Sequence, residues 1–126
     1  MNVLYEKHDI FPTSILIRKF IGRTCSSDII NSWEYLLKNN LIDSHIKGII
    51  TDLTVCDLNL DLESFEAVLY YMEKQDCLKK IKCPVISNNP KIIIFPFLAE
   101  KQSTELKVKP FSTIEAATNW ILTNSK

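Results

Sequence analysis

Glycine is scarce in this sequence, with only Gly22 and Gly48 among 126 residues. Loops that bind phosphate through backbone N–H groups need several glycines at a single turn, because only glycine lets the backbone approach a phosphate closely. The two glycines here lie far apart and form no such cluster. Their scarcity therefore excludes the P-loop and dinucleotide-binding classes of nucleotide enzyme.

Paired cysteines are also lacking. The four cysteines lie at positions 25, 56, 77 and 83, without a CxxC pair or the paired spacing of a zinc site. We therefore expect free thiols, no structural metal and no cofactor. The N-terminal residues lack the apolar segment of a secretory signal, and no apolar stretch reaches the roughly 20 residues of a membrane span. The expected location is the cytoplasm.

An excess of either charge is missing too. Fifteen basic side chains balance fifteen acidic ones, so no long-range field attracts nucleic acid or an anionic membrane. The short cluster of Lys79, Lys80 and Lys82 is interpreted as a solvated connection between a helix and a strand. With 46% hydrophobic and 24% charged residues, we expect a single globular domain over residues 1–126.

Hydrophobic periodicity predicts alternating strands and helices. We predict strands over residues 3–8, 14–21, 46–53, 84–87 and 106–109, and helices over residues 26–40, 62–75 and from residue 112 onward. Residues 90–102 are predicted as a further helix, although the internal Pro96 leaves a strand or a kink as the alternative. This order predicts an α/β fold with a mixed, mostly parallel sheet of about five strands flanked by about four helices.

Local signals place the helix starts and the core. Ser26 or Ser27 is expected to cap the first helix, Asp61 the second, and Ser112 the last, in a capping box with Glu115. The large aromatic side chains at helical spacing are expected in the core, and both histidines are expected at the surface. These residues are Trp33, Phe65, Trp120, His8 and His45.

Two segments resemble the receiver domain of response regulators, residues 48–54 and the Lys-Pro-Phe-Ser run at residues 109–112. In receivers, an aspartate at the end of the third strand is phosphorylated, and Asp52 occupies the matching position. The acidic pair that holds Mg²⁺ in receivers is replaced here by Arg18 and Lys19. Only one helix fits between the early strand and Asp52. A receiver-like phosphoacceptor switch at Asp52 is therefore the alternative function.

The element order, with its extra N-terminal strand, is similar to the STAS-like, or SpoIIAA-like, fold of anti-sigma-factor antagonists. Residues 108–121, with Phe-Ser-Thr at a helix entry, are similar to uncharacterised bacterial members of that group. The resemblance implies a non-enzymatic regulatory domain that binds a protein partner or a small ligand through the loop after the central strand. Antagonists switched by phosphorylation carry Asp-Ser-Ser/Thr-Gly at the following helix start, where this chain has Asp61-Leu62-Glu63-Ser64.

The loop expected at residues 55–61 is therefore the candidate binding site. Ligands of open parallel sheets lie beyond the carboxyl ends of the strands, where Asp57, Asn59, Asp61 and Ser64 gather polar groups. Two other interpretations stay open: these residues only shape a turn and cap a helix, or they bind a divalent metal together with Asp52. A homodimer is possible, and no catalytic residue is predicted.

Overall fold

The computed structural model describes residues 2–102 and 105–123. Five strands and five helices lie within these ranges. The strands are β1 (Asn2–Lys7), β2 (Ile15–Cys25), β3 (Gly48–Asn59), β4 (Lys82–Ile86) and β5 (Lys107–Phe111). The helices are α1 (Ser26–Lys38), α2 (Leu62–Glu73), α3 (Asp76–Lys79), α4 (Pro90–Gln102) and α5 (Ile114–Leu122).

The strands form one sheet in the order β1-β2-β3-β4-β5. Strand β1 is antiparallel to β2, and every later pair is parallel. The predicted α/β fold with a mixed, mostly parallel sheet is therefore confirmed, and the short α3 adds a fifth helix to the expected four. The strand order differs from the 2-1-3-4-5 order of flavodoxin-like folds such as receivers. The chain therefore does not have a receiver fold.

The two faces of the sheet carry separate hydrophobic cores. The larger core lies under α1, α2 and α4 and contains Phe20, Trp33 and Phe65. The smaller core lies under α5 and contains Ile50 and Ile121. The predicted burial of all three aromatic side chains, including Trp120, is confirmed. Helix α4 is confirmed over its predicted residues, with the internal proline buried in it.

Helix α5 packs closely on the sheet through two unusual contacts. A Cβ at Gly48 would lie only 2.7–2.8 Å from three side-chain atoms of Ile121, so this position requires glycine. Lys82, expected in a solvated cluster, is buried instead, and its Nζ donates to the carbonyls of Trp120 (2.7 Å) and Thr123 (2.9 Å). The expectation was wrong because the carbonyls at the C-terminal end of a helix can accept hydrogen bonds from a lysine, and these carbonyls come from a helix distant in sequence.

The β1–β2 turn is closed by His8, which is buried rather than at the surface. Its Nδ1 accepts hydrogen bonds from the backbone N–H groups of Ile10 and Phe11, and its Nε2 lies 2.9 Å from Thr118 Oγ1. Because Nδ1 accepts, Nε2 is assigned as the donor. The surface prediction failed because the partners of this side chain come from the turn itself and from distant α5. His45 is exposed, as predicted.

The cap of α5 lies one residue later than predicted. Thr113 Oγ1 accepts a hydrogen bond from the N–H of Ala116 at 3.1 Å, so Thr113 rather than Ser112 is the N-cap. The expected capping box with Glu115 fails for the same reason, since the third helical residue is alanine. Either hydroxyl satisfies the preference for an N-cap, and sequence alone does not choose between neighbours.

Candidate functional site

Strands β2 and β3 extend together beyond their neighbours in the sheet. The last residue of β3 that pairs with β4 is Asp52, whereas its pairing with β2 continues to Asn59, opposite Cys25. The expected loop at residues 55–61 is therefore wrong for its first part, because that part is strand up to Asn59. We call the paired residues 21–25 and 55–59 the β2–β3 arm.

A β-bulge sets the direction of the side chains in the arm. The register between β2 and β3 shifts between Lys19 and Ile21, which pair with Asp52 and Val55. Before the shift, Leu53 faces the larger core, and strict alternation would direct residues 55, 57 and 59 to the same face. The extra residue in β3 reverses the alternation, which places the side chains of residues 57 and 59 in solvent.

Asp52 stabilises this bulge. Its carboxylate is buried, and Oδ1 accepts hydrogen bonds from both the backbone N–H (2.9 Å) and the Oγ1 hydroxyl (2.7 Å) of Thr54. Side chains of aspartate favour such local turns, because they bond to the backbone two residues onward. The proposed phosphoacceptor is thus engaged in holding the strand. No group of three histidine, cysteine or acidic side chains suited to a metal occurs among residues 2–102 and 105–123.

The four candidate residues lie along the end of β3 and the first turn of α2. Asp57 and Asn59 are exposed on the arm. Asp61 is the N-cap of α2, as predicted, and its Oδ1 accepts a hydrogen bond from the N–H of Ser64 at 2.8 Å. This bond lowers the pKa of Asp61. Asp61 and Ser64 therefore have a structural partner in each other, whereas the side chains of Asp57 and Asn59 form no hydrogen bond or ion pair with another described residue.

A shallow depression of about 530 Å³ lies beside these residues and includes groups that sequence reasoning missed. Arg23 pairs in register with Asp57, so a cation lies next to that carboxylate. Cys25 is the N-cap of α1 in place of the predicted Ser26 or Ser27, and its N–H donates to Asp28 Oδ2 at 2.9 Å. Both β2 and β3 begin with buried apolar residues and continue into exposed polar ones. This shared change along the two strands is the sequence signal that could have predicted the pairing of Arg23 with Asp57 and of Cys25 with Asn59.

All four cysteines are unpaired, as expected. Cys83 is buried in the larger core, where burial raises its pKa to about 12 although the nearby Arg18 opposes this effect. A thiol with such a raised pKa is unreactive near neutral pH.

No helix in the described part of the chain is long and apolar enough to cross a membrane.

No family model matches this sequence, and no curated protein is similar to it. Solved structures are similar in fold. An uncharacterized protein of the DUF3478 family with a SpoIIAA-like fold, from Shewanella loihica PV-4, is 20% identical and has a TM-score of 0.62, covering 95% of this chain and 92% of that one. An anti-sigma factor antagonist from Mycobacterium paratuberculosis is 17% identical with a TM-score of 0.62, covering 97% and 94%.

The anti-sigma factor antagonist SpoIIAA in its unphosphorylated form is 10% identical with a TM-score of 0.54, covering 95% of this chain and 97% of that one. These similarities extend over nearly the whole length of each protein. At these sequence identities they establish the architecture. The protein has a SpoIIAA-like fold.

Proposed function

We propose that this protein is a non-enzymatic regulatory domain that recognises a protein partner. The proposed contact surface is the β2–β3 arm together with the first turn of α2, with Asp57 and Asn59 at its centre and Asp61 and Ser64 at its border. Two of the proteins of similar fold are named as anti-sigma factor antagonists, which supports a protein as the partner. The four candidate residues lie in one contiguous segment, as a contact surface requires.

The observation that carries the proposal is the bulge in β3. Asp57 and Asn59 are turned into solvent by an inserted residue, and neither side chain forms a hydrogen bond or ion pair with the described residues. Bulges often re-aim side chains next to functional sites, because they change direction without ending the strand. Exposed polar groups that the fold does not use are available for a partner, and beyond Asp52 the edge of β3 opposite β2 pairs with no described strand.

Affinity capture with a double variant tests this surface. Asp57→Ala combined with Asn59→Ala should change the free energy of unfolding by less than about 0.5–1 kcal/mol, the usual range for surface positions. Capture of the partner retained by the wild-type protein should fall by about tenfold or more. The matched control is Glu115→Ala with Asn119→Ala, since these side chains are exposed on α5, away from the arm. Equal capture by the wild type and both double variants would rule out this surface.

Variants of Asp52 distinguish the bulge from a phosphoacceptor. Asp52→Asn keeps an Oδ1 acceptor for Thr54 and should retain partner binding, whereas Asp52→Ala removes the acceptor and should weaken it. Incubation of the wild-type protein with acetyl phosphate and Mg²⁺ should give no mass gain. An acid-labile mass gain that disappears in Asp52→Asn would instead support the receiver-like alternative.

A further inference from the structure

A small cavity of about 70 Å³ lies inside the larger core, between the sheet and helices α1, α2 and α4. Its walls are almost entirely apolar, with contributions from Trp33, Phe65, Met72 and Phe95. Two polar side chains, Arg18 and Thr51, also line it. The cavity shares Leu58 with the depression beside the arm, but none of the four candidate residues of the contact surface lines it. Ligand binding in the cavity therefore does not require the proposed protein partner.

Arg18 is the unusual member of this lining, because it is a cation that is only 2% exposed. Its Nε donates to Thr51 Oγ1 at 2.9 Å, and its Nη1 donates to the carbonyl of Ile29 at 3.3 Å. The guanidinium carbon lies 3.6 Å from the ring centre of Trp33. No carboxylate of the described residues forms an ion pair with Arg18. Buried charges are normally paired, so this arrangement lacks an anion.

The donors of Arg18 exceed the acceptors that the protein supplies. A guanidinium has five N–H groups, and the two bonds above leave three at the forked end formed by Nη1 and Nη2. The indole Nε1 of Trp33 is also buried without a hydrogen-bond partner. Burial lowers the pKa of Arg18 to about 9, which agrees with a cation that has no compensating charge.

These groups define the chemistry of an occupant. A carboxylate matches the forked end of a guanidinium with two parallel hydrogen bonds, and one carboxylate balances one cation. A phosphate carries nearly two charges and three acceptor oxygens, which is more than the cavity offers. The remaining walls are apolar and suit a hydrocarbon chain. We propose that this cavity binds the carboxylate group of a short aliphatic acid, with Arg18 as the anion-binding residue.

The size of the cavity limits the ligand. A water molecule has a share of liquid volume of about 30 Å³, and a cavity of about 150 Å³ holds benzene, so 70 Å³ accepts a carboxylate and little more. The chain of the acid must therefore continue between side chains of the lining. Leu58, near the end of β3, and Leu60, in the segment that joins β3 to α2, line the cavity and are partly exposed. They mark the side on which the hydrocarbon leaves.

Titration with hexanoate, followed by two-dimensional ¹H–¹⁵N NMR, tests the site in the intact protein. The sequence has two tryptophans, and both indole N–H groups are buried without a partner, but only Trp33 lines the cavity. Hexanoate should shift the Trp33 indole signal in a saturable way and leave that of Trp120 unchanged. Hexylammonium, with the opposite charge, should shift neither, and 1-hexanol should bind at least about tenfold more weakly than hexanoate.

Variants separate the role of Arg18 from general apolar binding. Arg18→Met should weaken hexanoate binding by about tenfold or more, Arg18→Lys should weaken it less, and Lys19→Met should leave it unchanged because Lys19 lies on the other face of the sheet. Unchanged affinity in Arg18→Met, or equal affinity for hexanoate and 1-hexanol, would overturn the proposal. Failure of hexanoate to shift the Trp33 signal in the wild-type protein would do so as well, even if Arg18→Met does not fold.

Discussion

The two faces of the sheet each bury one cation, and the two cations are treated differently. On the face covered by α5, Lys82 Nζ has three acceptors, the carbonyls of Trp120 and Thr123 and the hydroxyl of Thr123. On the opposite face, Arg18 has two acceptors and rests against the rings of Trp33 and Phe20. Lys82 donates to carbonyl groups at the end of α5. Arg18, by contrast, lines a cavity and keeps guanidinium N–H groups that have no acceptor among the described residues.

This difference distinguishes a charge buried to stabilise the fold, that of Lys82, from a charge buried to bind a ligand, that of Arg18. A lysine that donates to the last carbonyls of a helix adds charge-assisted hydrogen bonds at the helix end, so its burial serves the fold. A guanidinium with unused donors in an apolar cavity serves the fold poorly, because its desolvation is not fully offset. Stability measurements should therefore give opposite results for the two residues.

Replacement of Lys82 should have the largest effect. Lys82→Met keeps an apolar stem of similar length but removes three hydrogen bonds, including those that the carbonyls of Trp120 and Thr123 accept. We expect a loss of about 3 kcal/mol, the upper range for hydrogen bonds to a charged group. Urea unfolding measures it, with Lys80→Met as the control because Lys80 is exposed. Equal stability of the two variants would contradict a structural role for Lys82.

Gly48→Ala tests the close packing of the same face. The added Cβ would meet three atoms of the Ile121 side chain, which is β-branched and stiff, so we expect a loss of about 2 kcal/mol, within the usual cost of overpacking. Combining it with Ile121→Ala should give less than the sum of the two single losses, because the second change removes the obstructing atoms. Additive losses in this double-mutant cycle would show that the contact is unimportant.

The burial of the Cys83 thiol, on the face of the sheet that carries the cavity, can be tested through the pH dependence of stability. Burial raises its pKa to about 12 from the usual 9, so above pH 9 the folded state binds more protons than the unfolded state. Stability from this group is fully present below pH 9 and is lost as the pH rises, at up to about 1.4 kcal/mol per pH unit. The free energy of unfolding should be measured for the wild type and Cys83→Ala at pH 8 and pH 10. Between these two pH values, the wild type should lose more stability than the variant. A constant gap would contradict the buried thiol.

Arg18→Met should have the smallest effect on the protein without ligand. Replacement of a buried cation by an apolar side chain of similar volume removes the cost of desolvating the charge, which opposes the loss of the two hydrogen bonds to Thr51 and Ile29. We expect the free energy of unfolding to fall by less than about 1 kcal/mol or to rise, in contrast to Lys82→Met. Chemical unfolding without added carboxylate measures this. A loss as large as that of Lys82→Met would make Arg18 a structural residue and remove the contrast between the two faces.

Periodicity and element order were sufficient to predict the architecture, because apolar spacing identifies the five strands and every described helix except the short α3, and crossover rules arrange them. The details that place the candidate site were not predictable in the same way. The bulge after Asp52 depends on the register between strands that are distant in sequence, so the sequence alone predicts a loop at residues 55–61, where the structure has the arm. Burial of His8 and Lys82 likewise depends on acceptors that α5 supplies, and the spacing of neighbouring residues does not report such partners.

Strand order in this sheet follows chain order, and this has a consequence for how the protein is made. Each new strand pairs with the strand synthesised just before it, so the sheet can grow at one edge as the chain leaves the ribosome. The hairpin of β1 and β2 forms the starting edge, and β5 is added last. Since α5 also supplies a carbonyl acceptor for Lys82 and the partner of His8, we expect the strands that carry these two residues to become fully fixed only after α5 has been synthesised.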